Sequence, residues 1–81
     1  MSFIIQIADL GLGNPKSIKN VMSRLNYNSE LIKDSSHLNS DVFLLPGVGS
    51  FDYGIKKLRE GNWSECIDRH IDKGGWIIGI C

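Results

Sequence analysis

The chain has 81 residues, 42% of them hydrophobic, and its nine basic and nine acidic side chains cancel to zero formal charge. That length allows one domain at most, and that apolar fraction suits a packed core rather than a disordered segment. The cancelled charge excludes the broad basic footprint that nucleic acid or an anionic membrane demands, and it removes one guard against self-association.

Phe3-Ile4-Ile5-Gln6-Ile7-Ala8 is β-branched and almost continuously apolar, the pattern of a parallel strand covered on both faces. Asp9 to Asn14 reads as a turn; Asn14 caps a helix whose first position is Pro15, where a missing N–H costs nothing. Ile18, Val21, Met22 and Leu25 form the apolar stripe of that helix, and Asn26 and Asn28 end it. Glu30-Leu31-Ile32 is a short strand, and residues 33–40 lack periodicity and read as a loop. Val42-Phe43-Leu44-Leu45 is a buried strand ended by Pro46. Phe51, Ile55 and Leu58 mark a second helix stopped by Gly61. Asn62, with Glu65 three residues on, has the capping-box spacing for a third helix. Its stripe is Trp63, Cys66, Ile67 and Ile71, it ends at Gly74, and residues 75–81 form the last strand.

Strands alternating with amphipathic helices predict an α/β fold, a parallel sheet with helices on both faces and right-handed crossovers. Active sites of such sheets lie at the carboxyl ends of the strands. Residues 9–14, residues 46–50 and Cys81 all fall there, which makes them one candidate site.

Two segments carry the chemistry. Pro46-Gly47-Val48-Gly49 is a poor continuation of a strand, and its glycines allow backbone N–H groups to turn toward a developing oxyanion. The plainer alternative is a strand-to-helix turn with Ser50 as the next cap. Cys81 ends the apolar run Trp76-Ile77-Ile78-Gly79-Ile80, where it is either a nucleophile or a small buried hydrophobe. Cys66 and Cys81 show no CxxC spacing, so a reducing cytosol is the default. No run approaches the roughly 20 apolar residues that span a bilayer. The start also lacks the basic segment of a signal peptide.

Three stretches, Ile7 to Asn14, Leu44 to Phe51 and Ile78 to Cys81, occur in an order and at a spacing that resembles the amino-terminal part of class I glutamine amidotransferases. The resemblance covers essentially all 81 residues and implies that they are the amino-terminal part of a single three-layer amidotransferase domain. It implies that Cys81 attacks the side-chain amide of L-glutamine to form a glutamyl thioester. Gly47, Val48 and Gly49 would then supply oxyanion N–H groups. Asn14 would lie near the interface with a (β/α)8-barrel synthase subunit that consumes the ammonia, as in histidine biosynthesis. No cofactor or metal is implied. Leu10 and Pro15 depart from the aromatic and aliphatic residues usual in the family, in the loop that faces the partner. Subunits that serve in amidating sugars of surface polysaccharides are the alternative branch.

The family's base is a histidine oriented by a glutamate, and neither has a counterpart here. The 81 residues alone are therefore expected to lack glutaminase activity, and the last strand to expose an edge prone to pairing with other chains. His70, beside the third helix's stripe, reads as a satisfied edge residue and His37 as solvated. Cys66 and His70 are four apart, but two ligands make a poor metal site. A rival reading is a nucleotide-binding module, from Gly11-Leu12-Gly13 and Asp34, although Lys16 holds the place of the third glycine. A non-enzymatic interaction domain is the other rival.

Overall fold

The computed structural model describes residues 3–11, 14–47 and 51–79. Four strands, β1 (Ile4–Ala8), β2 (Asn28–Ile32), β3 (Val42–Leu45) and β4 (Trp76–Gly79), form one sheet in the order β2-β1-β3-β4. Every pairing in it is parallel. Helix α1 (Pro15–Arg24) joins β1 to β2, and α2 (Phe51–Glu60) and α3 (Trp63–Asp72) join β3 to β4. The α/β architecture expected from the alternating pattern is the one observed.

Register sorts the apolar residues onto two faces. Ile5 pairs with Val42 and Ile7 with Leu44, so these four side chains share a face. There they pack with Leu31 and with Ile18 and Met22 of α1. Ala8 and Phe43 lie on the opposite face with Leu10, Ile32 and Trp63, joined by Leu58, Ile67 and Ile77. Phe43 and Trp63 stack with ring centroids 5.6 Å apart, which ties α3 to the centre of the sheet. β1 is buried from Ile5 to Ala8, as its nearly unbroken apolar sequence requires. β4 differs. Trp76 and Ile78, on the α1 face beside Val42 and Leu44, are 70% and 45% exposed, so the helical layer on that side stops short of this strand.

Local chemistry accounts for most boundaries. The Asn14 side chain accepts from Ser17 N–H (3.2 Å), and Pro15 stands at the first turn of α1. Asn26, at φ 65°, ends that helix in a left-handed cap: Tyr27 N–H donates to Met22 O and Asn26 N–H to Ser23 O. Asn28, expected at the helix end, instead opens β2, which starts two residues before Glu30. Helix α3 closes the same way on Gly74 (φ 83°), with Gly75 N–H bonded to His70 O.

Three expectations are corrected. Asn62 makes no side-chain cap; it takes a left-handed backbone (φ 57°), because only two residues separate α2 from α3 and one of them must reverse the chain. Ile71 is 54% exposed and His70, only 2% exposed, takes its place beside Trp63, Cys66 and Ile67. Burial of the imidazole is possible because its ring nitrogen bonds to the Trp76 carbonyl. Within the expected loop 33–40, Ser35–His37 forms a 3-10 turn whose start is capped by Asp34, with Ser36 N–H donating to its Oδ1 (2.9 Å).

Gln6 holds that connection down. It is 1% exposed on β1. Its two amide N–H groups are shared among Glu30 Oε1, His37 O and Asn39 Oδ1, and its Oε1 accepts from the N–H groups of Asn39 and Ser40. The segment from β2 must cross over β1 to reach β3, and this buried amide bonds it as it passes. No helix among the described residues is long and apolar enough to cross a membrane.

Candidate functional site

Because all four strands are parallel, Ala8, Ile32, Leu45 and Gly79 end at one edge of the sheet. The connection after β1 leads to one side, to β2, and the chain after β3 leads to the other, to β4. The order therefore reverses between β1 and β3, and the crevice outside the carboxyl ends at such a switch point is where ligands bind in open α/β sheets. The segments bordering it are Asp9–Gly11 and Pro46–Gly47.

Each side of the crevice is built by short-range bonding. Asp9 N–H extends the β1–β2 ladder to Ile32 O (2.8 Å), while Gly11 N–H donates to Asp9 Oδ1 (3.1 Å) and Gly11 turns at φ 76°. Leu10 points inward and is 9% exposed. It packs with Ala8, Phe43 and Trp63, so its departure from the family pattern bears on core packing. Pro46 is buried and Gly47, next to it, is exposed. Asn14 is also exposed and is engaged as the cap of α1.

β3 and β4 are neighbours, and Leu45 pairs with Gly79. Gly47 follows the first by two residues and Cys81 follows the second by two. Strands this close lie about 4.8 Å apart, so Leu45 and Gly79, the ends of the two strands, lie side by side at the same edge of the sheet. Val48, Gly49 and Cys81 themselves lie outside the described residues, as do Leu12 and Gly13 of the glycine loop.

The described histidines are occupied elsewhere. His70 bonds to the carbonyl of Trp76, the first residue of β4, at the end of that strand opposite to the site edge. His37 is exposed on the connection to β3. Asp34, the acidic residue of the nucleotide-binding reading, caps the 3-10 turn, and the Ser36 backbone and side-chain hydrogen bonds hold its carboxyl below the ordinary value.

A separate polar cleft of about 630 Å³ lies between the β2–β3 connection and the α2–α3 turn, with Lys33, Ser36, Asn62 and Glu65 in its lining. Nothing in the sequence motifs pointed to it. Arg69 Nη2 sits 3.1 Å from Cys66 Sγ on its wall, and that hydrogen bond raises the guanidinium above its ordinary value. Among the described residues no trio of His, Cys, Asp or Glu side chains is arranged to hold a metal.

No family model matches the chain. Among curated proteins it is 34% identical over 79 residues to "Imidazole glycerol phosphate synthase subunit HisH" of Caldanaerobacter subterraneus subsp. tengcongensis, covering 96% of this chain and 39% of that protein. The HisH subunit of Aquifex aeolicus is 35% identical over 93% of this chain and 37% of its own length. That of Leptospira borgpetersenii is 36% identical over 96% and 39%. The chain thus spans about two-fifths of the length of the curated relatives it matches. Over nearly all of its own length the chain is similar to the amino-terminal two-fifths of HisH subunits of imidazole glycerol phosphate synthase.

Proposed function

We propose that these residues are the amino-terminal part of a glutaminase subunit of imidazole glycerol phosphate synthase, one that hydrolyses L-glutamine and passes ammonia to a (β/α)8-barrel synthase subunit in histidine biosynthesis. The supporting observation is the likeness to HisH subunits over 96% of the chain, together with the pairing of Leu45 with Gly79, the strand ends that precede the two motifs in sequence.

In this reading the Cys81 thiolate adds to the side-chain amide carbon of glutamine. The carbonyl oxygen becomes an oxyanion facing backbone N–H groups of Gly47, Val48 and Gly49. The C–N bond then breaks, the nitrogen leaves as ammonia after receiving a proton, and water cleaves the thioester to glutamate. Asn14, exposed at the start of α1, belongs to the side that meets the synthase. A proton carrier is needed at Cys81, and His70 and His37 are both engaged or placed elsewhere. On their own, these 81 residues are inactive in this proposal. The setting is the cytoplasm, and no cofactor is required.

The sugar-amidating branch had rested on Leu10 and Pro15. With Leu10 in the core, no structural observation favours it over the histidine-pathway reading.

The test is glutamine hydrolysis by the complete natural subunit with its barrel partner, compared with the Cys81→Ala variant and with the 81-residue chain alone. Ammonia release in the complex that falls to buffer level in both comparisons is the expected result. Hydrolysis that survives Cys81→Ala refutes the assignment of the nucleophile, and release by the short chain alone refutes its predicted inactivity.

A further inference from the structure

Asp9 is the last residue that holds the β1 side in the ladder and the first of the turn that leaves it. Its N–H donates to Ile32 O (2.8 Å), one residue beyond the pairing of Ala8 with Ile32. Its side chain is half-buried, and Oδ1 accepts from Gly11 N–H at 3.1 Å, so the carboxyl closes the turn on its own backbone. Gly11 takes φ 76°, which favours glycine for its backbone alone, since open space surrounds the place where a Cβ would stand. Between them, Leu10 is 9% exposed and packs with Ala8, Phe43 and Trp63. The turn is therefore fixed at both ends and in its middle.

Register puts this turn beside the chain that leaves β3. Ile7 stands opposite Leu44 in the β1–β3 pairing. Two residues further along each parallel strand, Asp9 comes level with Pro46. Pro46 is buried, and Gly47 after it is exposed at the crevice. The Asp9–Gly11 turn is thus the wall on the β1 side of the point where the oxyanion segment begins.

We propose that Asp9 is a positioning residue for glutamine hydrolysis, an assignment that rests on the glutaminase reading above. Its carboxyl holds Gly11 N–H and so fixes the wall beside Pro46. That wall sets where the N–H of Gly47 stands when the oxyanion develops. Asp9 touches neither glutamine nor the Cys81 sulfur in this assignment; it acts through the turn. The task is acceptance of one hydrogen bond, which the amide oxygen of asparagine also performs. Oxyanion donors act on the transition state more than on bound substrate, so their displacement lowers kcat and leaves KM nearly unchanged. Outright loss of one such donor costs about 10²–10³ in kcat, and a loosened one should cost on the order of tenfold.

The test measures glutamine hydrolysis by the complete natural subunit with its barrel partner, as wild type, Asp9→Ala and Asp9→Asn, with kcat referred to folded protein. Asp9→Ala is expected to lower kcat about tenfold with KM within about twofold. Asp9→Asn, which keeps the acceptor, should stay within about twofold of wild type in both constants. Wild-type kcat in Asp9→Ala overturns the assignment, as does an equal loss in both variants or a change confined to KM. Hydrogen exchange on the unsubstituted complex gives a second reading that needs no variant to fold. The Gly11 amide should exchange more slowly than in an unstructured chain, and a Gly11 amide at the unstructured rate overturns the assignment as well. A wild-type complex that releases no ammonia instead refutes the glutaminase reading itself, so the two failures are told apart.

Discussion

Replacing Gln6 by Leu removes five polar contacts, four that fasten residues 37–40 over β1 and one to Glu30 on β2. Its size is nearly unchanged, so the loss isolates the polar clamp. Two backbone N–H groups, those of Asn39 and Ser40, lose their acceptor, and the His37 carbonyl loses a donor. Each orphaned group costs about 1–3 kcal/mol where water cannot reach it. Asn39 and His37 are exposed and Ser40 half-buried, so water replaces part of the bonding and the leucine recovers some apolar burial. The expected net loss is about 2 kcal/mol, or roughly 8–16 °C in Tm for a chain this short. Urea titration gives the free energy from the midpoint, and hydrogen exchange at Asn39 and Ser40 should accelerate ahead of the core strands. The isosteric Gln6→Glu sharpens the case. It sets a second carboxylate beside Glu30 Oε1, 2.7 Å from the present amide nitrogen. That variant should be weaker than Gln6→Leu at pH 7 and recover on acidification, as one of the paired carboxyls takes a proton and the repulsion ends. A Gln6→Leu chain within about 0.5 kcal/mol of wild type, with unchanged exchange at Asn39 and Ser40, would refute the clamp.

Asn62 and Asp34 allow two further tests. Asn62 sits at φ 57°, so Asn62→Gly should be neutral or stabilising and Asn62→Ala should cost about 1 kcal/mol; a denaturant midpoint that ranks alanine above glycine contradicts the left-handed turn. Asp34→Asn should lower Tm slightly at pH 7. The Ser36 hydrogen bonds lower the folded carboxyl below its ordinary 3.8, so the advantage of Asp34 is complete above that value and is lost as the pH falls through the depressed one. Melts of both chains from pH 7 to 2.5 should converge at the acid end, and a gap that widens there contradicts the assignment.

What local pattern alone could determine was determined. β1 and β3 were legible because they are buried on both sides and so read as unbroken apolar runs; α1 was legible from Asn14, Pro15 and a stripe at helical spacing. Gly74 marked the end of α3 because a left-handed cap favours glycine. The shared edge of the strand ends Ala8, Leu45 and Gly79 also followed, since alternating strands and helices make the sheet parallel.

Tertiary structure decided the rest. Gln6 looked like a lone interruption in an apolar strand, and only the path of the chain over β1 supplies its partners. His70 and Ile71 are neighbours on one helix, and the periodicity favoured the isoleucine for the interior. The carbonyl of Trp76, six residues beyond His70, makes burying the imidazole the better solution. Leu10 read as part of a partner-facing loop until Phe43 and Trp63 closed around it. Strand order, and with it the crevice between β1 and β3 and the pairing of Leu45 with Gly79, depends on contacts between segments more than 20 residues apart. Period and capping are written within a few residues, whereas the partner of a buried polar group is chosen by the fold.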